Sequence, residues 1–225
     1  MATIKLFHGS SVMVEKPLFA YGKPYNDYGQ GFYCTEHIDL GKEWACATKN
    51  GGFVNEYEFD LSGLKVLNLS DEKYSILNWL ALLMNYRIVN LKNPFQEMAC
   101  KYLIEHFLPD ISGYDVIVGY RADDSYFLFA RSFVNNEISL DQLARAMRLG
   151  KLGEQYCLKT EKAFSQIHFV KSEVVDAEKY YYLRIDREQK ARDEYIDETK
   201  SFDIDGIYMR DIIREGMKND DPRLR

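Results

Sequence analysis

The hydrophobic and polar positions divide the chain into short elements of changing period. Residues 4–8 form a short apolar run, the first predicted strand. Residues 10–26 hold Pro17, Gly22 and Pro24 and read as a loop. Residues 31–35 give a second short strand. Residues 36–49 take a helical period, with Leu40, Trp44 and Ala47 or Thr48 on one face. Asn50-Gly51-Gly52 ends that helix. Residues 53–59 alternate, placing Phe53, Tyr57 and Phe59 on one side of a half-buried strand. Residues 64–69 follow a Ser62-Gly63 turn as another strand.

The middle of the chain is helical. Ser70 or Asp71 is the expected cap of a helix carrying Ile76, Trp79, Leu80, Leu83 and Met84 at core spacing. A second helix starts at Pro94, where proline suits the first turn, and stops near Phe107, before Pro109. Residues 114–119 are continuously apolar, as in a buried strand. Residues 126–133 are helical, and Ser139-Leu140-Asp141-Gln142 is a capping box opening a helix through Leu143, Met147 and Leu149. Gly150 and Gly153 break it. Residues 155–158 form a strand, 160–164 a single helical turn, and 167–170 the last clear strand. From Asp176 the composition shifts. Residues 186–200 are highly charged, as in a solvated helix, a linker or a partner surface. Ile204, Ile207, Tyr208, Ile212 and Ile213 are enough to dock a following segment, and residues 218–225 are expected to fray. Strands do not alternate strictly with helices, so the expected class is α+β rather than a doubly wound parallel sheet.

Composition narrows the function classes. A chain of 225 residues with 46% hydrophobic positions buries a real core. Its 17 tyrosines suit a semi-polar crevice, or simply many half-buried rings. A net charge of −6 argues against nonspecific binding to a phosphate backbone. Cys34, Cys46, Cys100 and Cys157 lack C-x-x-C spacing, which signals neither zinc nor a disulfide framework and fits a reducing compartment. The opening residues show no apolar region behind a basic start, and no run approaches the ~18 apolar residues of a membrane span. The expectation is a cytoplasmic protein without membrane contact.

Local chemistry is sparse. His8, His37, His106 and His168 are far apart and show no H-x-x-x-H or H-x-E pattern, so a metal site is unsupported. Nothing local marks a covalent nucleophile. Gly29-x-Gly31 is a weak phosphate-loop signal, because the third glycine is missing and a strand follows it.

Two stretches carry more. His8-Gly9-Ser10 followed by Gly29-Gln30-Gly31-Phe32-Tyr33-Cys34-Thr35 resembles the first two motifs of ADP-ribosyltransferases of the diphtheria-toxin and poly(ADP-ribose) polymerase (H-Y-E) branch. Trp44, eleven residues past Tyr33, matches the polymerases' second nicotinamide-stacking aromatic. Glu154-Gln155-Tyr156-Cys157-Leu158 resembles the third motif, with Gln155 at the position of the catalytic glutamate. Over roughly residues 4–170 the chain is also similar to an uncharacterised bacterial family grouped with these enzymes, through Ala122-Asp123-Asp124 and the 155–164 segment.

The resemblance implies a split mixed and antiparallel sheet core over residues 1–175, a helical insertion at about 71–109, and a charged helical extension at 176–225. It implies NAD as substrate and no metal. The catalytic residues would be His8, Tyr33 and Gln155, and the NAD-binding residues His8, Gly9, Ser10, Tyr33 and Trp44. His8 would bond a ribose hydroxyl, the Gly9 backbone the carboxamide, and Tyr33 and Trp44 the nicotinamide faces. The implied activity is a glycosyltransferase-class transfer of ADP-ribose to a protein or nucleic-acid acceptor, as by the toxin half of a bacterial toxin–antitoxin or defence pair with an antitoxin partner. An amide at 155 bonds a hydroxyl but carries no charge and cannot act as a base. Transfer assisted by Asp123 or Asp124, an NAD- or ADP-ribose-binding module acting through a protein partner, and an NAD glycohydrolase therefore stay open. On this reading a Gln155→Glu change that raises activity would mark a restrained transferase. Each residue also has a plainer role: His8 as a satisfied structural histidine, Tyr33 and Trp44 as core rings, Asp123 and Asp124 as helix-capping acids, and Gln155 as an edge-strand residue.

Overall fold

A computed structural model describes residues 3–88, 90–122, 124–149 and 153–224. Asp123 and the side chain of Asp124, expected as assisting acids, lie outside the described residues, as does Gly150. The chain runs β1 (Thr3–Ser10), β2 (Phe32–Cys34), α1 (Ile38–Ala45), β3 (Gly52–Asp60), β4 (Val66–Asn68), α2 (Ile76–Tyr86), α3 (Pro94–Phe107), β5 (Val116–Tyr120), α4 (Asp124–Val134), α5 (Leu140–Ala146), β6 (Glu154–Leu158), α6 (Glu161–Ser165), β7 (Ile167–Val175), α7 (Ala177–Glu198) and α8 (Met209–Glu215). A 3-10 turn follows at Pro222–Leu224.

The fold is α+β, with strands in two sheets. One has the order β1-β3-β7 and is antiparallel throughout. The other has the order β2-β6-β5-β4 and is mixed, because β4 and β5 run parallel. The sheets meet at one rung, where Phe7 and Thr35 exchange backbone hydrogen bonds of 2.7 and 2.9 Å. Past that rung β1 and β2 no longer pair, and a split opens between them.

Packing explains most of the elements. Val116, Ile117 and Val118 are buried on both faces, as a strand flanked by β4 and β6 requires. Residues Leu77 through Met84 of α2 are all buried, and all but Asn78 are apolar, as a helix enclosed by its neighbours requires. Its cap is Ser75 in a capping box with Asn78, not Ser70 or Asp71. Those earlier residues are spent on turns, in which Ser70 N–H donates to Asn68 Oδ1 and Tyr74 N–H to the Asp71 carbonyl.

Other boundaries differ from the expectation, with β4 confined to Val66–Asn68 and α5 ending at Ala146. α1 ends at Ala45, where Cys46 N–H reaches back to the carbonyls of Lys42 and Glu43. β7 continues to Val175, through Lys171, Ser172 and Glu173. It is an edge strand, and its polar residues hide the strand pattern. The C-terminal residues are docked rather than frayed: Leu224 is buried, Tyr102 Oη donates to the Met217 carbonyl at 2.9 Å, and Asn78 Nδ2 donates to Asn219 at 2.8 Å. The charged run is a helix, α7, which joins Ala191 to the main core and pairs Arg187 with Glu43 of α1.

Candidate functional site

The split between the sheets holds a cavity of about 540 Å³. Side chains from four expected stretches line it, namely His8 and Ser10, Tyr33, Trp44, and Gln155. Gly9 does not line it. Side chains alternate along β1, so Phe7 and Gly9 face α1 while His8 faces the other way. A Cβ on Gly9 would lie 2.0 Å from the Gly41 carbonyl oxygen and 2.4 Å from Ala45 N. The bare glycine thus lets α1 press against β1, which brings Trp44 to the cavity wall. Phe7 turns its peptide groups to the β2 edge, and the alternation of an extended strand turns those of Gly9 to the same edge, where the partner strand has diverged.

His8 Nδ1 lies 2.7 Å from the Tyr33 carbonyl oxygen. A carbonyl only accepts, so Nδ1 carries the proton and Nε2 is left as the acceptor. Burial lowers the pKa of the ring below its ordinary value, and the weaker opposing influence of the Tyr33 carbonyl does not reverse this. The imidazole is neutral at pH 7. Phe32 lies against it, with ring centroids 4.4 Å apart.

Tyr33 spends its hydroxyl on the glycine loop. Its Oη donates to the Gly29 carbonyl at 2.6 Å and accepts from Tyr28 N–H at 3.0 Å. Lys159 Nζ donates to the carbonyls of Tyr28 and Gln30, each at 2.7 Å. Gly29 sits at φ 76°, a conformation that favours glycine. Burial above all raises the Tyr33 phenol well above its ordinary range, so it stays protonated. Trp44 carries the Arg121 guanidinium over its ring, 4.4 Å from the centroid.

Gln155 is 3% exposed. Its Nε2 donates to Asp27 Oδ2 at 2.7 Å and to the Tyr120 carbonyl at 3.3 Å. That carbonyl also accepts from Tyr28 Oη at 2.6 Å and Trp79 Nε1 at 2.9 Å. Asp27, 4% exposed, is paired through Oδ1 with Arg87, whose Nε lies at 2.7 Å and Nη2 at 2.6 Å. Oδ2 also accepts from Ala122 N–H at 2.9 Å. Sequence reasoning passed over Asp27, Arg87, Arg121 and Lys16, all of which line the cavity. The one local signal was a lone arginine ending the apolar α2 run. These three cations against one carboxylate make the wall positive in a chain of net charge −6. Positive charge beside aromatic rings is the chemistry that suits an anionic group attached to a flat ring. Among the described residues, no group of three His, Cys, Asp or Glu is placed to hold a metal ion, and no helix is long and apolar enough to cross a membrane.

A family model described as Protein of unknown function (DUF3990) matches residues 4–169. The chain belongs to that family. Comparisons with curated proteins and with solved structures find no match. The DUF3990 span contains every cavity residue named above, and α7 and α8 lie beyond it.

Proposed function

We propose that this DUF3990 protein is an NAD-dependent ADP-ribosyltransferase-like protein that transfers ADP-ribose to a macromolecular acceptor, in the role of a toxin of a bacterial toxin–antitoxin or defence system. The observation that carries the reading is the convergence of His8, Ser10, Tyr33, Trp44 and Gln155 on one cavity. In the proposed reaction the bond from ribose C1′ to the nicotinamide nitrogen breaks. Its electron pair goes to the ring, which leaves neutral. The acceptor nucleophile then bonds C1′ and releases its proton. Neutral His8 would accept a ribose hydroxyl at Nε2. Tyr33 and Trp44 would offer ring faces, with Arg121 already on one face of Trp44. Lys16 and Arg121 would meet the phosphates.

A second reading, a binding module for NAD or ADP-ribose without turnover, is favoured by one observation. Both amide protons of Gln155 are committed to protein acceptors, and the side chain brings no charge of its own to the ribose.

Incubation with adenylate-labelled NAD, together with protein and nucleic-acid acceptors, tests the proposal. The expected result is nicotinamide release and label transfer, lost in His8→Ala. Binding without release supports the second reading. No binding, no release and no transfer would sink both.

A further inference from the structure

An amide stands where developing positive charge calls for a carboxylate, and the residues around Gln155 suggest how the gap is filled. Both partners of Gln155 Nε2, the Asp27 carboxylate and the Tyr120 carbonyl, can only accept hydrogen bonds. Chemistry therefore fixes the amide orientation: the NH2 faces Asp27, and Oε1 is the end of this cavity-lining side chain left to accept. An amide whose N–H bonds end on a buried carboxylate is polarised toward its oxygen. Asp27 is itself held rigidly, by Arg87 on one oxygen and by Ala122 N–H and Gln155 on the other.

We propose that Asp27 is a positioning residue for the chemistry of this cavity, holding Gln155 with Oε1 offered to a ribose hydroxyl and polarising the amide through their direct hydrogen bond. Asp27 and Gln155 together stand in for one motif carboxylate. The inference rests on the NAD reading above. It also changes what Gln155→Glu alone should do. That change sets two carboxylates about as close as the present 2.7 Å contact, with one Arg87 to serve both. One of them must take up a proton or move. The informative variant is the exchange, Asp27→Asn with Gln155→Glu, which keeps one carboxylate and one amide in contact.

The full-length wild type, both single variants and the double variant would be melted at pH 7 and pH 5, and assayed for nicotinamide release across NAD concentrations. Gln155→Glu should melt lower than wild type by about 5–10 °C at pH 7 and recover part of the loss at pH 5, where one carboxyl is protonated. The double variant should melt above either single variant, the mark of direct coupling. Asp27→Asn should lower kcat about tenfold or more while KM for NAD stays within about threefold. The double variant should regain wild-type kcat. A double variant no more stable than its singles would overturn the coupling. Asp27→Asn that raises KM and leaves kcat alone would overturn the positioning role and make Asp27 a prop of the cavity wall. A wild type that neither binds nor cleaves NAD would overturn the proposed function and the positioning role together, while the melting pattern would still show whether Asp27 and Gln155 are coupled.

Discussion

The cavity has two walls built on opposite terms. The inner wall holds His8, Asp27, Tyr33 and Gln155, whose polar groups are bonded to other parts of the fold. The outer wall is the 11–26 loop, which presents Val12, Pro17, Leu18 and Tyr21. Leu18 is 60% exposed and Tyr21 83%. This loop is nonetheless pinned through its backbone. Val14 N–H donates to Asn55 Oδ1 at 3.0 Å, the Val14 carbonyl accepts from Tyr57, and Gln30 Nε2 donates to the carbonyls of Ala20 and Gly22 at 2.7 and 2.9 Å. Side chains carry the structure in the inner wall. In the outer wall the backbone carries it, and the side chains are left to set shape. Changes to the inner wall should therefore register first in stability, and changes to the outer wall first in binding.

The sharpest way to break the contrast is Asp27→Ala. It takes the carboxylate partner from the Arg87 guanidinium, the Ala122 N–H and the Gln155 amide together, leaving Arg87 only the Ala122 carbonyl and Gln155 only the Tyr120 carbonyl. Removing one partner of a buried pair costs about 3–5 kcal/mol, and Arg87, whose side chain is 31% exposed, puts the expected loss near the low end, ~3 kcal/mol. Urea denaturation would measure it. A loss below about 1 kcal/mol would mean that the inner wall does not depend on this carboxylate.

Tyr33→Phe asks a finer question of the same wall. The ring stays and the hydroxyl goes, leaving the Gly29 carbonyl and Tyr28 N–H to find other partners. The expected cost is about 1–2 kcal/mol in denaturation, with NAD affinity retained within about threefold if the ring face alone meets the ligand. A large loss of affinity at unchanged stability would assign the hydroxyl to the ligand instead of the glycine loop.

The parts of this arrangement legible in the sequence are those set by neighbours along the chain. Pro94 opens α3, Ser139 caps α5 and Thr160 caps α6, as local chemistry dictates. The continuous apolar run of β5 marks a central strand. His8, Tyr33, Trp44 and Gln155 were findable because their spacing resembles a known pattern. Asp27 was not, because its importance lies in partners 60, 95 and 128 residues away. Nothing beside it in sequence marks a buried carboxylate. The second half of β7 was hidden for a related reason: an edge strand tolerates polar residues that a local pattern reads as loop. Gly9 is accounted for by the packing of α1 against β1 alone, which leaves no room for a Cβ.

A smaller effect is expected from pH. The folded pKa of His8 lies below the unfolded value near 6.5. As pH falls through that value the unfolded chain takes up the proton first, so stability declines, and the decline stops beneath the folded pKa. Melting wild type and His8→Asn between pH 7.5 and 5 isolates this contribution, which should be present in the first and absent in the second. Parallel curves would mean that the ring is not held neutral by burial.

The smallest stability effect should come from the outer wall, where it is paired with a binding effect that the inner wall cannot mimic. Leu18→Ala and Tyr21→Ala remove side chains that are mostly in solvent, so denaturation should shift by no more than about 0.5 kcal/mol. Under the proposed function both side chains face the bound ligand across the cavity mouth, and an aromatic contact is worth about 0.5–1.5 kcal/mol, a two- to tenfold weakening of NAD binding for Tyr21→Ala. Leu18→Ala has no ring face to lose and should weaken binding less. Calorimetric titration with NAD beside a melting curve gives both numbers on one sample. Unchanged binding in both variants would restrict the ligand wall to the inner side. A melting loss as large as that of Asp27→Ala would erase the contrast, because the loop's side chains would then be holding the fold as well as shaping the cavity.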